Sequence, residues 1–266
     1  MNFVINRVEI STGIKLPYVE QGSPAGIPVL FLHGYTDSWR SFETVLPYLP
    51  DNIHAFAITQ RGHGEADRPQ DGYTMASFAT DVAAFMDAVK IETAVIVGHS
   101  MGSYITQQFA IQYPERTLGA VLMGSFSTLR GNAAVAEFGA AVATLADPID
   151  PAFAFEFQQS TLAQAVPEGL LEMVSKESLK LPAWVWRAVW QGLVGADFSA
   201  ELVKILAPTL IVWGDQDSFF PESEQTILAN TIPNSELLIY KGAGHALHWE
   251  EPARFTADLV AFVNSL

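Results

Sequence analysis

Apolar positions along the chain alternate between two patterns. Residues 28–34, 53–58, 118–123, 209–213 and 236–240, together with Val95-Ile96-Val97, form short runs that are apolar on successive positions, the mark of strands covered on both faces. Between such runs, Phe78, Val82, Phe85, Met86 and Val89 recur at helical spacing, which predicts a helix over 74–89. Met101, Ile105 and Phe109 do the same until Pro114 stops the helix. Helices are also predicted over about 38–49, about 222–230 and 252–266, the last closing the chain as an amphipathic segment. Residues 3–10 and 14–20, separated by Ser11-Thr12-Gly13, read as an antiparallel hairpin at a sheet edge. Residues 22–26 read as a turn, and 59–70, with Arg61-Gly62-His63-Gly64, as irregular loop. With right-handed crossovers, this βαβα alternation builds a doubly wound, mostly parallel α/β sheet that binds ligands at the carboxyl ends of its strands.

From 126 to 199 the alternation stops. Helical segments punctuated by Pro148, Pro151, Pro167 and Pro182 take over, so 126–199 is expected to be an inserted helical cap between core segments 1–125 and 200–266. Phe138, Phe153, Phe155, Phe157, Trp184, Trp186, Trp190 and Phe198 supply an apolar ceiling or pack the cap against itself. Tyr35, Phe126, Trp186, Trp190 and Phe219 are the expected substrate-binding residues.

One run ends in chemistry. Val95-Ile96-Val97 leads into Gly98-His99-Ser100-Met101-Gly102 and then a helix, so Gly-x-Ser-x-Gly sits in a strand-turn-helix context. The five residues alone also fit an ordinary turn. The flanking elements single out Ser100 as a nucleophile at the apex, with the Met101 N–H at the new helix start aimed at an oxyanion beside it. A serine hydroxyl needs a base. Where a serine sits on such a turn, the chain order is Ser, then Asp or Glu, then His, which leaves His245 and His248. His245 follows Gly242-Ala243-Gly244 after a strand and is the expected base, with His248 the alternative and otherwise a loop support. The strand at 209–213 ends in Gly214-Asp215-Gln216-Asp217. Asp217 is expected to orient the imidazole, and Asp215 to bind amides in its own turn. No acid follows the strand at 118–123, where Gly124, Ser125 and Phe126 stand.

Composition narrows the partner. The 266 residues are 49% hydrophobic, with 29 acidic against 14 basic residues and a net charge of −15, which disfavours nucleic acid and anionic membrane. Small neutral or apolar substrates are expected, and a monomer or homodimer. There is no cysteine, hence no disulfide framework and no call for an oxidising compartment. No signal-peptide pattern opens the chain and no segment is apolar over about 18 residues, so a cytoplasmic location and no membrane span are expected. No His-x-x-x-His or other metal-ligand spacing occurs, and neither a metal nor another cofactor is expected.

In this order, His33-Gly34-Tyr35, Arg61-Gly62-His63-Gly64, Gly98 to Gly102, Trp213-Gly214-Asp215-Gln216-Asp217 and Gly244-His245 followed by Glu250-Glu251-Pro252 resemble an α/β-hydrolase of the esterase and lactonase kind. The resemblance covers nearly the whole chain outside the cap and implies an eight-stranded sheet. It also implies that the amide of Tyr35, after His-Gly, is the second oxyanion donor, and that Arg61 and His63 brace their loop. Thr59 departs from the pattern, since relatives often have Asp there. Related dehalogenases and epoxide hydrolases carry Asp where this chain has Ser100, so serine points to ester or lactone cleavage. Two other readings share the triad: carbon–carbon hydrolysis of a ring-cleavage diketone, whose carboxylate would need a cationic clamp, and a ligand receptor with slow or no turnover. A cofactor-free peroxidase side reaction is also compatible.

Overall fold

A computed structural model describes residues 3–266. Its strands are β1 (Ile5–Glu9), β2 (Lys15–Gln21), β3 (Ile27–Leu32), β4 (Ile53–Ile58), β5 (Ala94–His99), β6 (Thr117–Met123), β7 (Thr209–Gly214) and β8 (Ser235–Tyr240). They pair as one eight-stranded sheet in the order β1-β2-β4-β3-β5-β6-β7-β8. The first two strands form the antiparallel hairpin at the edge, β2 meets β4 antiparallel, and every later pairing is parallel. Helices α1 (Met75–Ala88) and α2 (Met101–Gln112) precede β6. Helices α3 (Ala133–Ala143), α4 (Pro151–Ser160), α5 (Leu170–Ser178) and α6 (Ala183–Gly195) lie in the chain between β6 and β7, and α7 (Glu222–Thr231), α8 (Leu247–Glu250) and α9 (Pro252–Asn264) complete it.

The apolar strand runs are explained by what covers each face. In β3, Leu30 and Leu32 pack with the α1 and α2 side chains, whereas Val29 and Phe31 pack with Phe255, Leu259 and Val263 of α9. In β5, Ile96 goes one way and Val95 and Val97 the other. Strand periodicity of two thus distributes the side chains between two cores. The chain runs from β3 to β4 on one side and then crosses to β5 on the other, with Leu32 opposite Gly98. The crevice beyond the ends of β3 and β5 is therefore the switch point where open sheets bind ligands.

The helix expected over 38–49 is instead two short 3-10 turns, Trp39–Phe42 and Leu46–Tyr48. Pro47 lacks an N–H and restricts Leu46 before it. No described helix is long and apolar enough to cross a membrane.

The loop after β4 is anchored by charge. Arg61 Nε and Nη2 donate to Asp81 of α1 at 2.5 and 2.6 Å, and Nη1 donates to the Gly72 carbonyl at 2.8 Å. Their side chains are only 9% and 5% exposed, so removing one partner strands the other in a poorly solvated site. Arg61→Ala is expected to lower unfolding stability by about 3–5 kcal/mol in urea titration. A loss below about 1 kcal/mol would show that Asp81 is hydrated without its partner.

Candidate active site

The turn from β5 to α2 is built on backbone contact. A Cβ on Gly98 would lie 2.2 Å from the Gly102 carbonyl oxygen, and one on Gly102 would lie 2.0 Å from that of Leu32. Only glycine permits this crossing. Between them Ser100 adopts φ 52°, ψ −117°, a sparsely populated conformation for an L-residue that costs about 1–3 kcal/mol. It persists because the surroundings hold it: Ser100 N donates to the Met123 carbonyl at 2.9 Å, and its own carbonyl accepts from Ser103 and Tyr104 N–H. The Ser100 hydroxyl makes no cap to its helix.

His245 comes to the same place from the loop after β8. Its Nδ1–H donates to Asp217 Oδ2 at 2.8 Å, and the two side chains are 4% and 0% exposed. The other carboxylate oxygen accepts from the Phe219 and Phe220 amides at 2.8 and 3.0 Å. Asp217 therefore has a fixed orientation, and the Nδ1 donation leaves His245 Nε2 as an acceptor. Gly124 has φ +51°, and a Cβ there would lie 2.8 Å from His245 Nδ1, so the imidazole occupies the space that a side chain after β6 would need. Ser100 and His245 line one cavity. No hydrogen bond joins their side chains among the described residues, and such bonds commonly tighten only around a substrate.

The neighbouring polar residues are otherwise engaged. Asp215 Oδ1 accepts from Gly242 N at 2.7 Å, and His248 Nε2 shares a hydrogen bond with Ser41 Oγ at 3.1 Å. His33 accepts from Gln60 N at 3.0 Å, and His63 Nδ1 bonds the Arg61 carbonyl at 2.8 Å. Thr59 Oγ1 accepts from Trp39 N at 3.2 Å. Glu250 fastens the His245 loop: Oε2 accepts from Gly244 N at 2.7 Å, and Oε1 from Ala163 and Gln164 N–H at 2.6 and 2.9 Å.

Tyr35 and Met101 N–H sit at the ends of the two central strands, and neither is taken up by a backbone bond among the described residues. Tyr35, Phe126, Trp190 and Phe219 line the cavity with Ser100. Trp186 does not. It is fully buried behind Tyr35, its carbonyl accepting the Tyr35 hydroxyl at 2.7 Å and its indole N–H donating to the Ser178 carbonyl. The helix face of Trp186 is turned inward to the cap, a rotation that the aromatic content of α6 does not reveal. Phe138, Phe157 and Phe220 supply further wall. Asp37 and Gln158 line it too, and neither was singled out from the sequence. The available signals are an acid placed in the loop directly after β3 and a glutamine on the buried face of α4, four residues after Ala154.

Electrostatically the cavity is nearly bare. No Lys or Arg lines it, and Asp37 is its one acidic side chain. Burial lifts Asp37 to about 7, against the opposing hydrogen bonds from Gln158 of α4 and Ser41 and the field of His245; Glu177 adds to the rise. Burial and the neighbouring His248 and His245 hold His99 well below the usual histidine range, and burial beside His245 pushes His248 down to about 3. Both are neutral at pH 7, and of these three imidazoles only His245 has a carboxylate hydrogen-bonded to it to stabilise an imidazolium. Among the described residues no three His, Asp or Glu side chains converge as metal ligands.

Comparison with known proteins finds a family model that matches most of the chain. The model of the alpha/beta hydrolase family matches residues 29–259. A non-heme chloroperoxidase of Streptomyces lividans is 28% identical, across 97% of this chain and 99% of its own. The 2-hydroxymuconate semialdehyde hydrolase of Pseudomonas sp. strain CF600 is 29% identical, across 95% and 92%. The crystal structure of an esterase from Rhodococcus sp. ECU1013 superposes with a TM-score of 0.87 at 26% identity, across 98% of this chain and 99% of that one.

The geometry separates the two histidines and the two aspartates. Phosphonylation of Ser100 by a fluorophosphonate is expected to slow by about a thousandfold or more in His245→Ala, and by orders of magnitude in Asp217→Asn. His248→Ala is expected to stay within about tenfold, and Asp215→Asn to lower melting temperature more than reactivity. The reverse ranking would move the base to His248 or the orienting acid to Asp215.

Proposed function

The chain belongs to the alpha/beta hydrolase family, and on that footing we propose that it is a serine hydrolase cleaving carboxylic esters or lactones through an acyl-enzyme. The observation that carries this reading is the His245 Nδ1–Asp217 Oδ2 hydrogen bond of 2.8 Å at a cavity that also receives the strained Ser100. Ser100 Oγ attacks the carbonyl carbon while its proton passes to His245 Nε2. The oxygen takes up the negative charge between the Tyr35 and Met101 amides, and the imidazolium, paired with Asp217, protonates the departing alkoxide. Water then gives a proton to His245 and its hydroxide to the acyl carbon, and Ser100 leaves with the proton returned.

The apolar wall supports an uncharged acyl chain or ring. A carboxylate-bearing diketone would enter a cavity with no lining cation and with Asp37 facing it, at a desolvation cost nothing there offsets. Arg130 is 77% exposed and paired with Asp197, and Arg187 donates to the Leu145 carbonyl. Lys176 pairs with Glu172, and Lys180 with Glu65 and Glu177, so none of the four basic residues of the cap is a clamp at the cavity.

Purified protein is expected to turn over p-nitrophenyl esters through many cycles, with kcat/KM rising up to roughly fourfold per methylene, about 0.8 kcal/mol, until the cavity is full. Ser100→Ala is expected to lose about a thousandfold or more in the same assay with its melting temperature retained. Retained turnover in that variant would overturn the serine mechanism. A single stoichiometric event followed by silence would point to a receptor, and a flat chain-length response would make the aromatic wall packing rather than binding surface.

A further inference from the structure

Beside Ser100 the wall carries two hydrogen-bonding atoms that the acyl-transfer scheme leaves idle. His99 donates Nε2–H to the His245 carbonyl at 3.2 Å, so its Nδ1 is a bare acceptor, and that atom is buried without a partner. Asp37 receives Gln158 Nε2 on Oδ1 at 2.8 Å, but its Oδ2 has only a long 3.5 Å contact from Ser41. The residues are 2% and 3% exposed. Both atoms crowd the bare Cα of Gly34, where a Cβ would lie only 3.0 Å from each of them, and Gly34, Asp37 and His99 line the cavity together with Ser100. Buried polar atoms are rarely left unpaired, and leaving one so is costly.

The position of this corner relates it to the reaction. His99 immediately precedes Ser100, and Gly34 immediately precedes Tyr35, with consecutive Cα atoms about 3.8 Å apart. A group bound there belongs to a substrate atom near the scissile carbonyl. What completes the pair is a group that can donate to His99 Nδ1 and also exchange a hydrogen bond with the Asp37 carboxyl. A hydroxyl does both, and it adds no charge to an apolar cavity. An ether oxygen cannot donate, and a methylene does neither.

We infer that Asp37 and His99 form a subsite for a hydroxyl on the acyl chain close to the carbonyl, so that hydroxyacyl esters or lactones are preferred over plain acyl ones. This rests on the ester-hydrolase reading above and refines its substrate class. With burial lifting Asp37 to about 7, a protonated carboxyl at pH 6 can donate to the substrate oxygen while the substrate hydroxyl donates to His99. Gln158 holds Asp37 in place from the cap side.

The test compares kcat/KM at pH 6 for ethyl hexanoate, its 2- and 3-hydroxy derivatives and the corresponding methoxy derivatives. Wild type is expected to favour one hydroxy ester by roughly 10- to 100-fold over the plain ester, and the methoxy ester to gain nothing. The ratio is expected to collapse in Asp37→Leu and in Gly34→Ala, whose methyl group would press on both acceptor atoms and displace them, and to survive in Asp37→Asn, which keeps a donor and an acceptor there. Using a ratio cancels any general loss of activity in a variant. Hydroxy and plain esters within about threefold of each other in wild type would overturn the subsite and leave the hydrolase reading standing. Calorimetric binding of 2- and 3-hydroxyhexanamide against hexanamide to Ser100→Ala gives the same comparison without turnover. Equal affinities there would overturn the subsite even if no ester proves to be a substrate.

Discussion

The close crossing of α2 over the ends of β3 and β5 is the constraint on which the rest of the site depends. Gly98 and Gly102 let backbone touch backbone, Gly102 against the Leu32 carbonyl and Gly98 against Gly102 itself. That contact sets three positions together. It places Ser100 in its strained turn, puts the Met101 amide at the open N-terminus of α2, and fixes the end of β3, from which Tyr35 follows within three residues. A side chain at either glycine would push the helix away from the sheet and move all three. The strain at Ser100 is tolerated because the sheet beneath is buried on both faces and cannot relax around it.

What was legible in the chain followed from local rules. A strand buried on both faces writes itself as a continuous apolar run, and glycines flanking a serine between strand and helix encode a turn, so the sheet, α1, α2 and the positions of Ser100, His245 and Asp217 could be read from spacing and order. The 38–49 segment misled because its apolar positions fit a helix while Pro47 forbids one. Trp186 misled for a different reason. Aromatic content cannot say which side of α6 faces the cavity, and Tyr35 takes the position that Trp186 supports from behind. Asp37 and Gln158 were invisible because their contact spans 121 residues and exists only once α4 has docked.

The charge of −15 belongs to the chain as a whole, whereas the cavity is governed by a few buried groups. His99 packs against His245 and His248 packs behind His99, with ring centroids 4.9 Å apart for His99 and His245 and 4.5 Å for His99 and His248. Desolvation keeps the two helpers uncharged. In the proposed mechanism the imidazole that pairs with Asp217 thus has uncharged rings beside it, so that a proton arriving at His245 meets a carboxylate rather than a competing cation.

Glu250 gives the arrangement a further property. One carboxylate gathers the amide of Gly244, next to His245, and the amides of Ala163 and Gln164, in the connection between α4 and α5; the Ala246 amide donates to the Thr161 carbonyl nearby. The helical insertion and the histidine loop are thus clamped by the same residue. The insertion is not an interchangeable module resting on a self-sufficient catalytic base plate. Descendants that exchange it for another would also have to rebuild the seat of the histidine, which ties the history of substrate choice to that of the proton-transfer machinery.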